Sequence, residues 1–217
     1  MDASCHGNEL LAKVVREYPK TKFFRVSQHT VRRVLAILRD PRIQLPIGWT
    51  GVAAVETAID VFVGYLMFDA WIANQDRHHE NWGLVETLGS THLAPSYDHE
   101  SSLGSGETDP DREDRLTTRD KRRSMERSVE RASSAFYASP SSKKPLSTLE
   151  AFREAGRPRP KATDAWLERL RQGSSQDIAF IFDQVPQDRI TPVASRFAQK
   201  MLELNRQRLL ALQEVWP

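Results

Sequence analysis

The sequence predicts a mainly α fold carrying one small β-hairpin, and three observations lead there. Apolar residues recur at helical spacing in most of the chain. One segment, from about Thr50 to Ile72, is apolar nearly all round, the pattern of a helix at the centre of a helical core. Only between Trp82 and Ala94 does the pattern turn into short strand-like runs, Trp82 to Glu86 and Thr91 to Ala94, split by Leu88-Gly89-Ser90.

The elements follow in order. Asn8 to Tyr18 has Leu10, Leu11, Val14 and Val15 at helical spacing and stops before Pro19. A second helix is expected from a Ser27 cap to about Arg39, with Val31, Val34, Leu35 and Leu38 on one face, and Pro41 closes it. After the hairpin, His99 to about Asp120 is rich in Ser, Gly, Asp and Arg without an apolar period and reads as a long loop. Long loops in compact domains are usually functional or disordered. Lys121 to Tyr137 reads as a mixed-charge helix and Ser139 to Pro145 as a linker, so residues 99–145 form one loop and linker region. Helices return at about Leu146–Ala155, Asp164–Gln172, Gln176–Val185 and Pro192–Trp216.

Composition narrows the function classes. The 217 residues suffice for one sizeable domain, read as a single unit over 1–217, and a net charge of +2 gives no electrostatic footprint for nucleic acid. The basic run from Arg119 to Arg131 is interleaved with Asp120, Glu126 and Glu130, so it reads as a solvated face before it reads as a docking surface. Cys5 is the only cysteine, which excludes an internal disulfide and fits a reducing cytoplasm. Met1 to Leu10 lacks the pattern of a secretory signal. The apolar stretch Val52 to Ala73 contains Glu56, Asp60 and Asp69; each such charge costs about 2.5–3.5 kcal/mol near the centre of a membrane helix, so no membrane span is expected.

The chemistry is concentrated in Ala73-Asn74-Gln75-Asp76-Arg77-His78-His79-Glu80-Asn81, between the central helix and the hairpin, with Asp98 just past the second strand. Phosphoryl transfer asks for a carboxylate that orients an acceptor hydroxyl and takes its proton, and for oxygen ligands that hold Mg²⁺ against the phosphates. An Asp, an Asn five residues later and a second Asp after a hairpin is the order found in protein kinases. Asp76, Asn81 and Asp98 reproduce it.

Asn74-x-Asp76-x-His78-x-x-Asn81, followed by Leu93-Ala94-Pro95-x-Tyr97-Asp98, resembles the HipA-like family of bacterial serine/threonine kinases. The resemblance is dense from about Ile59 to Leu103 and looser in the closing helix, and the Asp-Arg-His-x-x-Asn core also looks like the loop of phosphatidylinositol kinases. It implies the C-terminal lobe of a protein-kinase-like fold, with Asp76 as catalytic base, His78 bracing the loop, and Asn81 and Asp98 holding Mg²⁺ and, through it, ATP. The acceptor would be a serine or threonine of a protein substrate, and a toxin–antitoxin setting would add an antitoxin-like partner.

The sequence also departs from that family. No glycine-rich phosphate loop and no Val-Ala-x-Lys strand precede Asp76, and the 75 residues before it read as helices. The expectation is therefore an incomplete or split kinase served by a separately encoded N-terminal lobe, with apolar surface left near Trp71 and the hairpin. A non-catalytic, pseudokinase-like binding module is the alternative. A metal-dependent hydrolase is a weaker one: His78 and His79 are adjacent, not spaced i, i+4, and Asp98-His99 reverses the His-Asp order such enzymes need.

Overall fold

Helix α3, Ala58–Ile72, is the axis of the fold in the computed structural model, which describes residues 3–22 and 24–214. Twelve of its fifteen residues are buried, as an all-round apolar sequence requires. It starts at Ala58 and not at Thr50. Gly51 and Ala54 take left-handed backbone conformations (φ 89° and 66°) that no helix accommodates. The helix begins where Thr57 and Asp60 form a capping box, each side chain meeting the other's backbone N–H.

In front of α3 come strand β1 (Ala3–His6), helix α1 (Gly7–Val14), helix α2 (Val31–Leu38) and the two-residue strand β2 (Ile43–Gln44). Helix α2 opens at Thr30, whose side chain accepts from the Arg33 N–H, and not at Ser27. The expected hairpin is present as β3 (Gly83–Thr87) and β4 (Ser90–Leu93). It belongs to a larger element: β1 pairs antiparallel with β3 and β2 parallel with β4, giving a four-stranded sheet in the order β1-β3-β4-β2.

Beyond the sheet, the stretch read as a loop contains helix α4, Asp109–Thr117, which buries none of its residues. It is held by its ends: the Thr108 cap, Pro110, and Asp109 and Asp111 in the first turn. The helix expected over Lys121 to Tyr137 contracts to α5, Met125–Arg131, with Met125 and Val129 buried. Helices α6 (Thr148–Gly156), α7 (Pro160–Gln172), α8 (Ser175–Asp183) and α9 (Pro192–Ala211) follow. The last stretch of the expected closing helix, including Trp216, lies outside the described residues. No helix among the described residues is long and apolar enough to cross a membrane.

Helices α6, α7 and α9 pack on α3. The approach of α7 depends on Gly64: a Cβ there would sit 2.3 Å from the Trp166 indole, which is pinned by its N–H donating to the Asp60 carbonyl at 2.7 Å. Gly64→Ala is expected to lower stability by roughly 1–3 kcal/mol, the usual cost of overpacking, read from the urea midpoint.

Two buried histidines are expected to make the fold acid-sensitive. The Trp82 indole donates to His29 Nε2 (3.2 Å), His29 Nδ1 lies 3.1 Å from the Ala135 carbonyl, and the ring stacks on Phe136. A carbonyl only accepts, so the ring is the neutral Nδ1–H tautomer. Burial pushes the His29 pKa down to about 3 and that of His79 down to about 4. Both lie below the unfolded value near 6.5, so between about pH 6.5 and 4 the unfolded chain binds more protons and stability falls as pH falls. A loss of about 3 kcal/mol by pH 4 is expected from His29 alone, measured by urea unfolding across pH.

Candidate active site

The loop that follows α3 is built on a buried ion pair. Helix α3 ends with Ala73 in the left-handed region (φ 53°), which turns the chain sharply out of the core. Arg77 then folds back into the protein. Its Nε and Nη2 donate to the two carboxylate oxygens of Asp69, the Nη2 bond being 2.7 Å, and its Nη1 donates to the Asn81 carbonyl at 2.9 Å. Nη2 also reaches Ser96 Oγ at 2.8 Å. The two side chains are only 2% and 5% exposed, so each charge depends on the other.

Around this pair the loop closes on itself. Asn74 donates to Asp69 Oδ1 (2.9 Å) and accepts from the Asp76 N–H (3.1 Å). The Asn81 Nδ2 donates to the Asp76 carbonyl at 2.7 Å. Asn81 is buried, and with its NH₂ given to that carbonyl, Oδ1 is the atom of its amide fit for a hard cation. Asp76 itself is half-buried, its side chain 29% exposed, within a loop tied on both sides.

Asp98 lies close enough for its charge to raise the Asp76 pKa, after burial as the larger cause and against the His78 charge, which lowers it. Asp98 is exposed and sits at φ 54°, a left-handed conformation that aspartate tolerates better than most residues. The segment carrying it is fastened to the loop: the Tyr97 hydroxyl donates to the Glu80 carbonyl (2.6 Å), the Gln75 N–H donates to the Ser101 carbonyl (3.2 Å), and the Leu103 N–H donates to Ile72 (2.8 Å).

His78 Nε2 stands 3.9 Å from Asp76 Oδ1, and its Nδ1 accepts from the Glu80 N–H at 3.1 Å. His79 points the other way, into the core, against the Tyr18 hydroxyl (2.8 Å). Adjacent histidines thus serve different surroundings. Among the described residues no group of three His, Cys, Asp or Glu side chains stands together as a metal cage. Asn81 is bonded to the Asp76 backbone, and the Asp98 charge reaches Asp76; an amide oxygen and two carboxylates are donor types that suit a hard divalent ion.

Sequence reasoning missed Asp69, Arg77 and the Ser96–His99 pair behind them. His99 Nε2 lies 2.7 Å from Ser96 Oγ and 3.2 Å from Arg77 Nη2, and burial lowers its pKa. A signal existed: a carboxylate inside an apolar helix needs a cation beside it, and Asp60 shows the same rule with the half-buried Arg159 (2.7 Å). Trp71 packs against the core. It is half-buried with its indole N–H donating to the Leu202 carbonyl (3.2 Å), while Leu88 at the hairpin turn is fully exposed.

The helical body, the small sheet and the loop between them define a kinase-like fold. Among solved structures, the chain is similar to the Helicobacter pylori proinflammatory kinase CtkA, with a TM-score of 0.65, over 97% of this chain and 69% of that one, at 16% identity. No family model and no curated protein sequence matches the chain.

Proposed function

We propose that the chain is the catalytic half of a HipA-like, ATP- and Mg²⁺-dependent phosphotransferase acting on serine or threonine of a protein substrate. The observation that supports this reading is the Asp76 loop, where the Asn81 NH₂ is locked onto the Asp76 carbonyl and the charge of Asp98, from beyond the hairpin, reaches Asp76. Asp76 orients the acceptor hydroxyl and takes its proton, and its raised pKa brings it closer to that task. Asn81 Oδ1 and the Asp98 carboxylate would hold Mg²⁺. When bound, the ion neutralises charge on the phosphates. His78 steadies the Asp76 side of the loop from 3.9 Å.

Arg77, the cation nearest in sequence to Asp76, is spent on Asp69, Asn81 and Ser96 and cannot also pair with phosphates. The phosphate-pairing lysine and the covering loop are therefore proposed to come from a separately encoded N-terminal lobe or antitoxin-like partner, in the cytoplasm. Two oxygen ligands without nucleotide hold Mg²⁺ only weakly.

Calorimetry of the isolated chain is expected to show weak Mg²⁺ and weak ATP binding, both strengthened by the missing lobe, and elemental analysis is expected to show no bound zinc. One equivalent of zinc would support a hydrolase instead. ATP binding that stays weak with every candidate lobe would support the non-catalytic binding module.

A further inference from the structure

Half of the basic run conspicuous in the sequence, three of its six cations, is paired in the fold. Arg122 pairs with Asp120, Arg123 with Asp114 and Arg127 with Glu130. A different set of arginines, scattered in the sequence, is gathered and left unpaired. Arg32 and Arg39 from α2 and Arg153 and Arg157 at the end of α6 line a groove of about 770 Å³ between the two helices. Among the described residues none of the four takes part in an ion pair.

The groove is amphipathic. Its apolar lining is the exposed Ala36 and Pro158 and the half-buried Leu146, over the buried Leu35 and Leu212, and Glu150 and Glu154 share the rim, so four positive charges face two negative ones. Arg153 and Arg157 stand one helical turn apart, a like-charged pair that repels itself unless an anion lies between. Arg153 and Arg157 near the end of α6, and Arg39 at the end of α2, suit the negative pole of a helix. Arg32 does not: it sits in the first turn of α2, where no acidic side chain offsets it.

From this arrangement we infer that the α2–α6 groove is a docking site for an acidic amphipathic helix of a partner protein. Carboxylates one turn apart on that helix meet Arg153 and Arg157 as bidentate acceptors, and its leucine-type stripe covers the apolar floor. Nucleic acid fits less well, because its phosphate rails offer nothing to the apolar lining. This site is independent of the phosphotransfer reading, since none of its residues belongs to the Asp76 loop.

The test is fluorescence anisotropy of the full chain with three labelled probes: a designed helical peptide with Leu at i, i+3, i+7 and Glu at i, i+4; the same peptide with Lys for Glu; and a single-stranded RNA. The acidic peptide is expected to bind at least tenfold tighter than the other two. Arg153→Glu with Arg157→Glu is expected to cost at least tenfold for the acidic peptide and to turn the preference toward the basic one. Both positions are exposed, and a thermal melt checks that the fold persists; Arg32→Glu serves as the milder variant, with a weaker loss expected. Equal affinity for the two peptides, tighter binding of RNA, no binding of the acidic peptide, or binding unmoved by the substitutions would overturn the assignment.

Discussion

Asp76→Asn is expected to lower phosphotransfer by roughly 10²–10⁴-fold while leaving the fold intact. The asparagine keeps the shape and the backbone bonds, because the contacts that tie position 76 to Asn74 and Asn81 use its N–H and its carbonyl. What it loses is the ability to take a proton. Stability should stay level or rise slightly, since burial and the Asp98 charge both disfavour the ionised carboxylate and a neutral amide escapes that cost. Single-turnover transfer from γ-labelled ATP, paired with a urea titration, separates the two effects. Undiminished transfer in a folded variant would remove Asp76 from the chemistry.

The second large effect falls on a residue that touches no substrate. Arg77→Met is expected to destabilise the protein by about 3–5 kcal/mol, because it leaves Asp69 charged and buried without its cation. The Asn81 carbonyl and Ser96 lose their donor in the same step, so the loop that carries Asp76 and Asn81 should loosen with the core. Adding Asp69→Asn to Arg77→Met should recover part of the loss, since no uncompensated charge remains. Urea unfolding of the two single variants and the double variant forms the cycle that measures this coupling. A single Arg77→Met variant as stable as the parent would show that the pair is not what holds the loop.

How legible this was from sequence varies with the physics behind each element. The core of α3 and the β3–β4 hairpin were readable because burial imposes a period on the residues, all-round apolar in one and strand-like in the other. The start of α3 was not, since Val52, Ala53, Ala54 and Val55 look helical while Gly51 and Ala54 hold turn conformations; the Thr57-x-x-Asp60 box carried the true signal. Strands β1 and β2 are too short for a pattern and are defined by backbone pairing with partners far along the chain. Helix α4 escaped because its single packed apolar residue, Leu116, sets no period; the helix is held by that contact with the Phe197 and Met201 cluster, by its caps and by Arg196 on α9 reaching Glu113 at 2.7 Å.

In the candidate site, Asp76, Asn81 and Asp98 stand out in the sequence because phosphotransfer chemistry would fix a spacing along the chain, and the structure adds the bond from Asn81 to the Asp76 carbonyl. The Asp69–Arg77 pair could not be read the same way, because it is fixed by where a helix end and a loop meet in space. The docking groove lies further still from sequence reading, since it assembles Arg32 and Arg39 with Arg153 and Arg157 across more than half the chain.

The measurement that tests the central claim most directly is transfer of label from γ-labelled ATP to protein. The chain is mixed with a candidate N-terminal lobe and Mg²⁺, and run beside Asp76→Asn and Asp98→Asn. The account predicts labelled serine or threonine only when chain, lobe and Mg²⁺ are all present, with strong loss in both variants. Label that forms without this chain, or that persists undiminished in Asp76→Asn, would contradict it.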